Sequence, residues 1–169
     1  PLAAYAVLAE IPVIFARGLA KAALGDEGAL ENAARLGEIR AQSTATEPMI
    51  AQTVSASEIQ EKQILGRLHA SRGDFDEAIR ILSEAAAMEE TMPPPPGPPP
   101  VIKPAPELYG EVLFLARRPA EAMKAFETSL QRHRDRGRAL LGLARAAAQA
   151  GDPDRGGSLR AVRAPVERV

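Results

Sequence analysis

The sequence predicts an all-α fold of antiparallel helix pairs. Three observations point to it. Apolar residues recur at three- and four-residue spacing instead of alternating. Aromatic residues make up only 4% of the chain while alanine is abundant, a composition suited to helices packed at close distance. Gly25-Asp26, Gly73-Asp74 and Gly151-Asp152 punctuate the periodic stretches where helices would end and begin again. No strand is predicted, and a chain of 169 residues is long enough for one ordinary domain.

Taken in order, the pattern predicts helices over residues 2–9, 12–24 with Pro12 in the first turn, and 27–41. Ser43, Thr44 and Thr46 form a loop, and Glu47-Pro48 opens the next helix. From Met49 to Arg72 there is no proline and no glycine but Gly66, which predicts one long helix. A helix over 74–91 follows. Helices resume at 106–116, 119–133, 136–150 and 153–163.

The stretch Glu58 to Glu90 organises the rest. Leu65, Leu68, Phe75, Ile79 and Leu82 fall on facing stripes of two helices, with Gly66, Ala78 and Ala85 among them. The two helices therefore pack as a hairpin. Gly73 supplies the left-handed residue that ends the first helix, and Asp74, with Glu77 three residues on, is placed to cap the second. With Gly73 as the turn position, Arg117 lies 44 residues on and Gly151 a further 34, while Gly25 lies 48 before.

In Leu65-Gly66, His69, Gly73-Asp74-Phe75, Ala78, Leu82 and Ala85 the chain resembles the tetratricopeptide repeat (TPR) family, whose unit is 34 residues long. Lys62 stands where a Trp is usual and Glu90 where a Pro is usual. Tyr109-Gly110, Ala122 and Phe126 carry the pattern in a third unit, with Arg117-Arg118-Pro119 in place of Gly-Asp. Leu143, Ala144 and Gly151-Asp152 carry it in a fourth, and Gly18, Gly25-Asp26 and Leu30 in a first. The resemblance implies an α-solenoid, a tetratricopeptide-like right-handed superhelix of roughly seven to eight helices. Its repeats would cover residues 11–42, 59–92, 103–134 and 137–165 of a single domain 1–169. The chain is similar in this to bacterial tetratricopeptide proteins with a proline-rich insert. Its start at Pro1, without Met, suggests a segment of something longer.

The insert spans residues 93–106, and seven of residues 93–100 are proline, so neither a helix nor an inner strand can form there. Extended at ~3.1 Å per residue it would reach about 43 Å, whereas neighbouring helices are ~10 Å apart. The surplus must loop out or fold back. Three readings stay open: a stiff spacer or lid, a docking segment for a proline-reading domain, and a strap in the protein's own groove, suggested by the apolar Val101 and Ile102.

Charge is divided unevenly. Residues 1–92 carry 8 basic and 14 acidic side chains, residues 93–169 carry 13 and 8. The basic focus is Arg132, His133, Arg134, Arg136 and Arg138, which reads either as a solvated turn beside a helix C-terminus or as a surface for phosphate or an acidic partner. No aromatic is interleaved with these arginines, which disfavours nucleic acid. No stretch reaches the ~18 apolar residues of a membrane span. The expectation is a soluble protein of cytoplasm or periplasm, its oligomeric state open.

No catalytic, cofactor or metal site is signalled. There is no cysteine, and His69 and His133 stand apart without ligand spacing, His69 in a position where the repeat packs a core Tyr. Glu89-Glu90 reads as a solvated pair at a helix end. What remains is a binding surface. The resemblance implies that the first helix of each unit lines a concave groove, which places Gln60, Gln63, Arg67 and Ala70, then Glu107, Glu111 and Phe114, then Arg138, Leu141, Arg145 and Ala148 toward a ligand. Chaperone-binding members hold a peptide carboxylate with a Lys/Asn/Arg clamp, and no Asn occurs at these positions. The expected function is a non-enzymatic scaffold for a protein or peptide, an acidic one by its arginines. The alternative is a structural or oligomerisation segment of a larger protein.

Overall fold

The structure, a computed structural model, describes residues 2–44, 46–93 and 103–151, with side chains from Ala9 onward. The expected helix 153–163, the end of the fourth repeat, and Val101 and Ile102 lie outside the described residues. Seven helices are present among them: α1 (Leu2–Ala23), α2 (Gly28–Gln42), α3 (Pro48–Ser71), α4 (Phe75–Thr91), α5 (Ala105–Leu115), α6 (Pro119–Arg132) and α7 (Gly137–Ala150). There is no strand among the described residues. Each helix packs on the next, and α1 on α3, α3 on α5 and α5 on α7 as well. The odd-numbered helices therefore form one layer and the even-numbered ones the other, the arrangement of an α-solenoid. No helix is long and apolar enough among the described residues to cross a membrane.

One expectation about the ends of elements is corrected. The first two predicted helices are one, because α1 runs through Pro12 without a break. An interior proline costs about 3 kcal/mol through its lost hydrogen bond and its clash with the preceding turn. Ile11 and Phe15, on either side of Pro12, are both fully buried in the core shared by α1, α2 and α3, and that packing holds the helix. The one long helix expected from Met49 is α3, which at 24 residues extends well N-terminal of the repeat and takes up part of the 48-residue spacing between Gly25 and Gly73, with Ile50 and Val54 packed into the same core.

Three turns share one hydrogen-bond pattern. Asp26 N–H donates to the Lys21 carbonyl at 3.0 Å, Asp74 N–H to His69 at 3.0 Å, and Arg118 N–H to Leu113 at 2.9 Å. Each bond spans five residues and closes the helix end as a Schellman motif, which needs a left-handed residue just past the last turn. Gly73 fills that position with φ 82°, while Arg117 fills the corresponding one with φ 61°. Asp74 does not cap α4, contrary to expectation: its Oδ2 lies 2.8 Å from His69 Nδ1 on the last turn of α3. That contact also corrects the reading of His69 as a core side chain, since it is partly exposed beside Asp74.

The layers approach closely where side chains are missing. Phe126 of α6 is buried between Gly110 of α5 and Gly142 of α7, and a Cβ on Gly142 would stand 2.4 Å from its Cζ. Gly66 of α3 faces Leu82 of α4 in the same way, with 2.5 Å to Leu82 Cγ. Ring atoms wedged between two helices cannot yield as a flexible side chain would.

Two substitutions test these contacts by urea unfolding. Gly142→Ala should lower stability by ~1–2 kcal/mol even though alanine is the better helix former by up to ~1 kcal/mol, because overpacking against Phe126 outweighs propensity. Arg117→Gly should raise it by up to about 1 kcal/mol, because glycine carries no Cβ penalty at positive φ.

Candidate functional site

The odd-numbered layer carries a pocket of about 360 Å³ between α3, α5 and α7. Its walls are Leu108, Val112 and Phe126, and its apolar rim is Phe114, Leu115 and Leu141. Leu115 is 50% exposed and Leu141 46%, so this rim leaves apolar side chains open to water. Gly142 belongs to the site by what it lacks: without a side chain there, the Phe126 ring reaches the pocket wall.

Three arginines stand around this apolar patch, Arg67 from α3 and Arg138 and Arg145 from α7. None of the three has an ion pair or side-chain hydrogen bond among the described residues. Glu111 of α5 is the one carboxylate in the lining. Of the nine groove candidates, Arg67, Glu111, Phe114, Arg138, Leu141 and Arg145 thus line one pocket. Gln60, Gln63 and Glu107 do not: all three are fully buried, which corrects the expectation that they face a ligand. Of the two alanines carried over with them, Ala70 is buried and Ala148 exposed.

The physical reason is the chain just before α5. Lys103 and Pro104, at the end of the proline-rich insert expected to loop out or fold back, are buried. The Gln63 amide donates to the Lys103 carbonyl at 2.8 Å, and Lys103 Nζ donates to Glu107 and, at 2.7 Å, to Glu111. Arg136, just before α7, binds the other oxygen of Glu107. Charges alternate along this line, Glu111, Lys103, Glu107, Arg136, so the fully buried carboxylate of Glu107 is flanked by two cations.

Two arginines of the basic focus predicted near residues 132–138 are engaged by the chain itself. The Arg132 guanidinium donates to the carbonyls of Glu89, Glu90 and Met92, the last at 2.6 Å, and so closes the C-terminus of α4, where a cation is favoured. Arg136 is held by Glu107, while Arg134 and Arg138 are exposed. Glu89 is not solvated as expected but 4% exposed, accepting the Ala105 N–H at 2.7 Å. Burial pushes its carboxyl above the usual range, against the pull of that N–H and of Arg132 and Arg136. His133 Nε2 lies 3.9 Å from Glu89, but burial and the two arginines lower the imidazole's pKa, so it is neutral at neutral pH and the contact is not an ion pair.

Sequence reasoning passed over Lys103, Leu108, Val112, Leu115, Phe126 and Gly142 as parts of the site. For Lys103 a signal existed: Lys103, Glu107 and Glu111 are spaced four and four, so that they share one side of a helix and its approach. For the others the signal was the same as that of any core position.

Residues 113–156 match the family model of the tetratricopeptide repeat, which covers the end of α5, all of α6 and α7 and the turn after it. This stretch is thus similar to a tetratricopeptide repeat. No curated protein and no solved structure matches the chain. Tetratricopeptide repeats serve in general as protein-interaction scaffolds and typically have no catalytic activity of their own.

The buried Glu89 makes stability depend on pH. A carboxyl whose folded pKa is raised contributes stability below the unfolded value near 4.5 that is lost as pH rises through the folded pKa. Glu89→Gln keeps an oxygen for the Ala105 N–H and removes the charge. It should match the parent at pH 4 and exceed it at pH 7, read from urea midpoints at the two pH values.

Proposed function

We propose that the pocket between α3, α5 and α7 is a non-enzymatic docking site for a segment of another protein that carries carboxylates beside apolar side chains. The observation that supports this reading is the meeting of three arginines without partners among the described residues and an open apolar rim around one pocket. Apolar contact with Phe114, Leu115 and Leu141 would supply affinity. Arg67, Arg138 and Arg145 would supply orientation, because a guanidinium binds a carboxylate through two parallel hydrogen bonds. Nothing in the lining forms an acid–base pair: its single carboxylate, Glu111, is bound to Lys103. The Lys/Asn/Arg clamp of chaperone-binding tetratricopeptide proteins has no counterpart in this lining, whose cations are all arginines.

The test uses fluorescein-labelled peptides in which Asp and Glu flank a central Leu or Phe, with Lys-flanked peptides as control, read by anisotropy. The parent chain should bind the acidic set and not the basic one, and added salt should weaken the complex. Arg138→Glu with Arg145→Glu should weaken it by about tenfold or more. Equal binding by the parent and the doubly reversed chain would sink the proposal. Sedimentation of the free chain addresses the competing role as an oligomerisation segment, which requires a concentration-dependent mass.

A further inference from the structure

We propose that Lys103 is a specificity-determining residue of this groove: by binding Glu111 it takes the pocket's one lining carboxylate out of play, so that the arginine face selects anionic ligands. The inference rests on the docking site proposed above and assigns a role to a residue outside its lining.

Glu111 has two kinds of neighbour. It lines the pocket together with Arg67, Arg138 and Arg145, and it accepts from Lys103 Nζ at 2.7 Å. A carboxylate in an arginine-lined pocket would do one of two things in the absence of Lys103. It would turn to an arginine and consume a ligand-binding cation, or it would stay and repel an incoming carboxylate. Either outcome weakens anion binding. The lysine prevents both, since a carboxylate bound to an ammonium is neutral at a distance.

Lys103 can be spared for this because Glu107 has a second cation. Arg136 takes one oxygen of Glu107, so the four groups Glu107, Glu111, Lys103 and Arg136 sum to zero and leave the three pocket arginines as the net field. The lysine is also held in place from three helices. Gln63 of α3 binds its carbonyl, Glu89 of α4 binds the Ala105 N–H two residues on, and Glu107 and Glu111 of α5 bind its ammonium. Its side chain is 8% exposed, so its charge acts with little screening at its own end, while Glu111 at 37% reaches the pocket water. A lysine free in solvent would move about and be screened. This one is a fixed counter-charge.

The acidic Leu-centred peptide of the previous section is the probe, titrated against the parent, Lys103→Met, Glu111→Gln and the double variant, with folding checked by circular dichroism. Lys103→Met should bind about tenfold more weakly, equivalent to ~1.4 kcal/mol. Adding Glu111→Gln should bring the double variant back to within about threefold of the parent, because the unmatched carboxylate is then gone. Glu111→Gln alone should change affinity by less than about threefold, since Lys103 already neutralises that group. Parental affinity in Lys103→Met overturns the assignment, and so does a double variant as weak as Lys103→Met, the result expected if the lysine only held the chain in place. Lys103→Arg keeps the charge and should bind as the parent does. A weakened Lys103→Arg overturns the assignment even where Lys103→Met does not fold. If the parent itself does not bind the acidic probe, the docking site is refuted and this role with it, a result distinct from parental binding that Lys103 leaves untouched.

Discussion

A carboxylate with no exposure to water must be met by positive charge, and Glu107 is such a carboxylate. Lys103 meets it from the chain entering α5 and Arg136 from the chain entering α7. Two segments of the chain, 29 residues apart between Glu107 and Arg136, are thereby brought to one point in the fold. A buried ion pair of this kind adds little to stability over a well-packed apolar core, but leaving one partner alone is costly. The observed placement of the residue 103 segment, α5 and the α6–α7 turn satisfies all these charges together.

The rest of the arrangement follows from that point. Arg132, four residues before Arg136, reaches the carbonyls at the end of α4, and Glu89 in that same last turn of α4 accepts the Ala105 N–H. The C-terminus of α4, the start of α5 and the α6–α7 turn are therefore knotted together by polar contacts. On the groove side, Phe126 between Gly110 and Gly142 does the same by packing. The polar knot closes the half of the odd-numbered layer over Gln60, Gln63 and Glu107, and the apolar wedge shapes the half that stays open around Arg67, Arg138 and Arg145. One part of the odd-numbered layer is covered by the residue 103 segment and another presents arginines around the pocket.

Local order was legible in the residues and their spacing. The turns at Gly25, Gly73 and Arg117 are set by hydrogen bonds that span five residues, and a motif that short is written entirely in neighbouring side chains. Register then placed candidate positions of α7 and of the C-terminal half of α5 that line one pocket. Where reading failed, a distant group had intervened. Asp74 is built like a cap but finds His69, and Glu89 looks like an exposed helix end but is covered by Ala105 and the residue 132–133 turn. Pro12 looks like a boundary, and Ile11 and Phe15 bury the helix across it.

By itself the sequence determined that the chain is helical, that its helices pair, and where they turn, because periodicity and left-handed turn residues act over a few positions. Which of its polar side chains face water was decided only by the tertiary structure. Gln63 and Lys103 are 40 residues apart, and Glu107 and Arg136 are 29. No local pattern encodes that these meet, since a glutamine or glutamate on the first helix of a repeat reads alike whether a ligand or the chain's own segment lies over it. The burial of one carboxylate, with two cations beside it, separates the covered residues Gln60, Gln63 and Glu107 from the pocket that stays open.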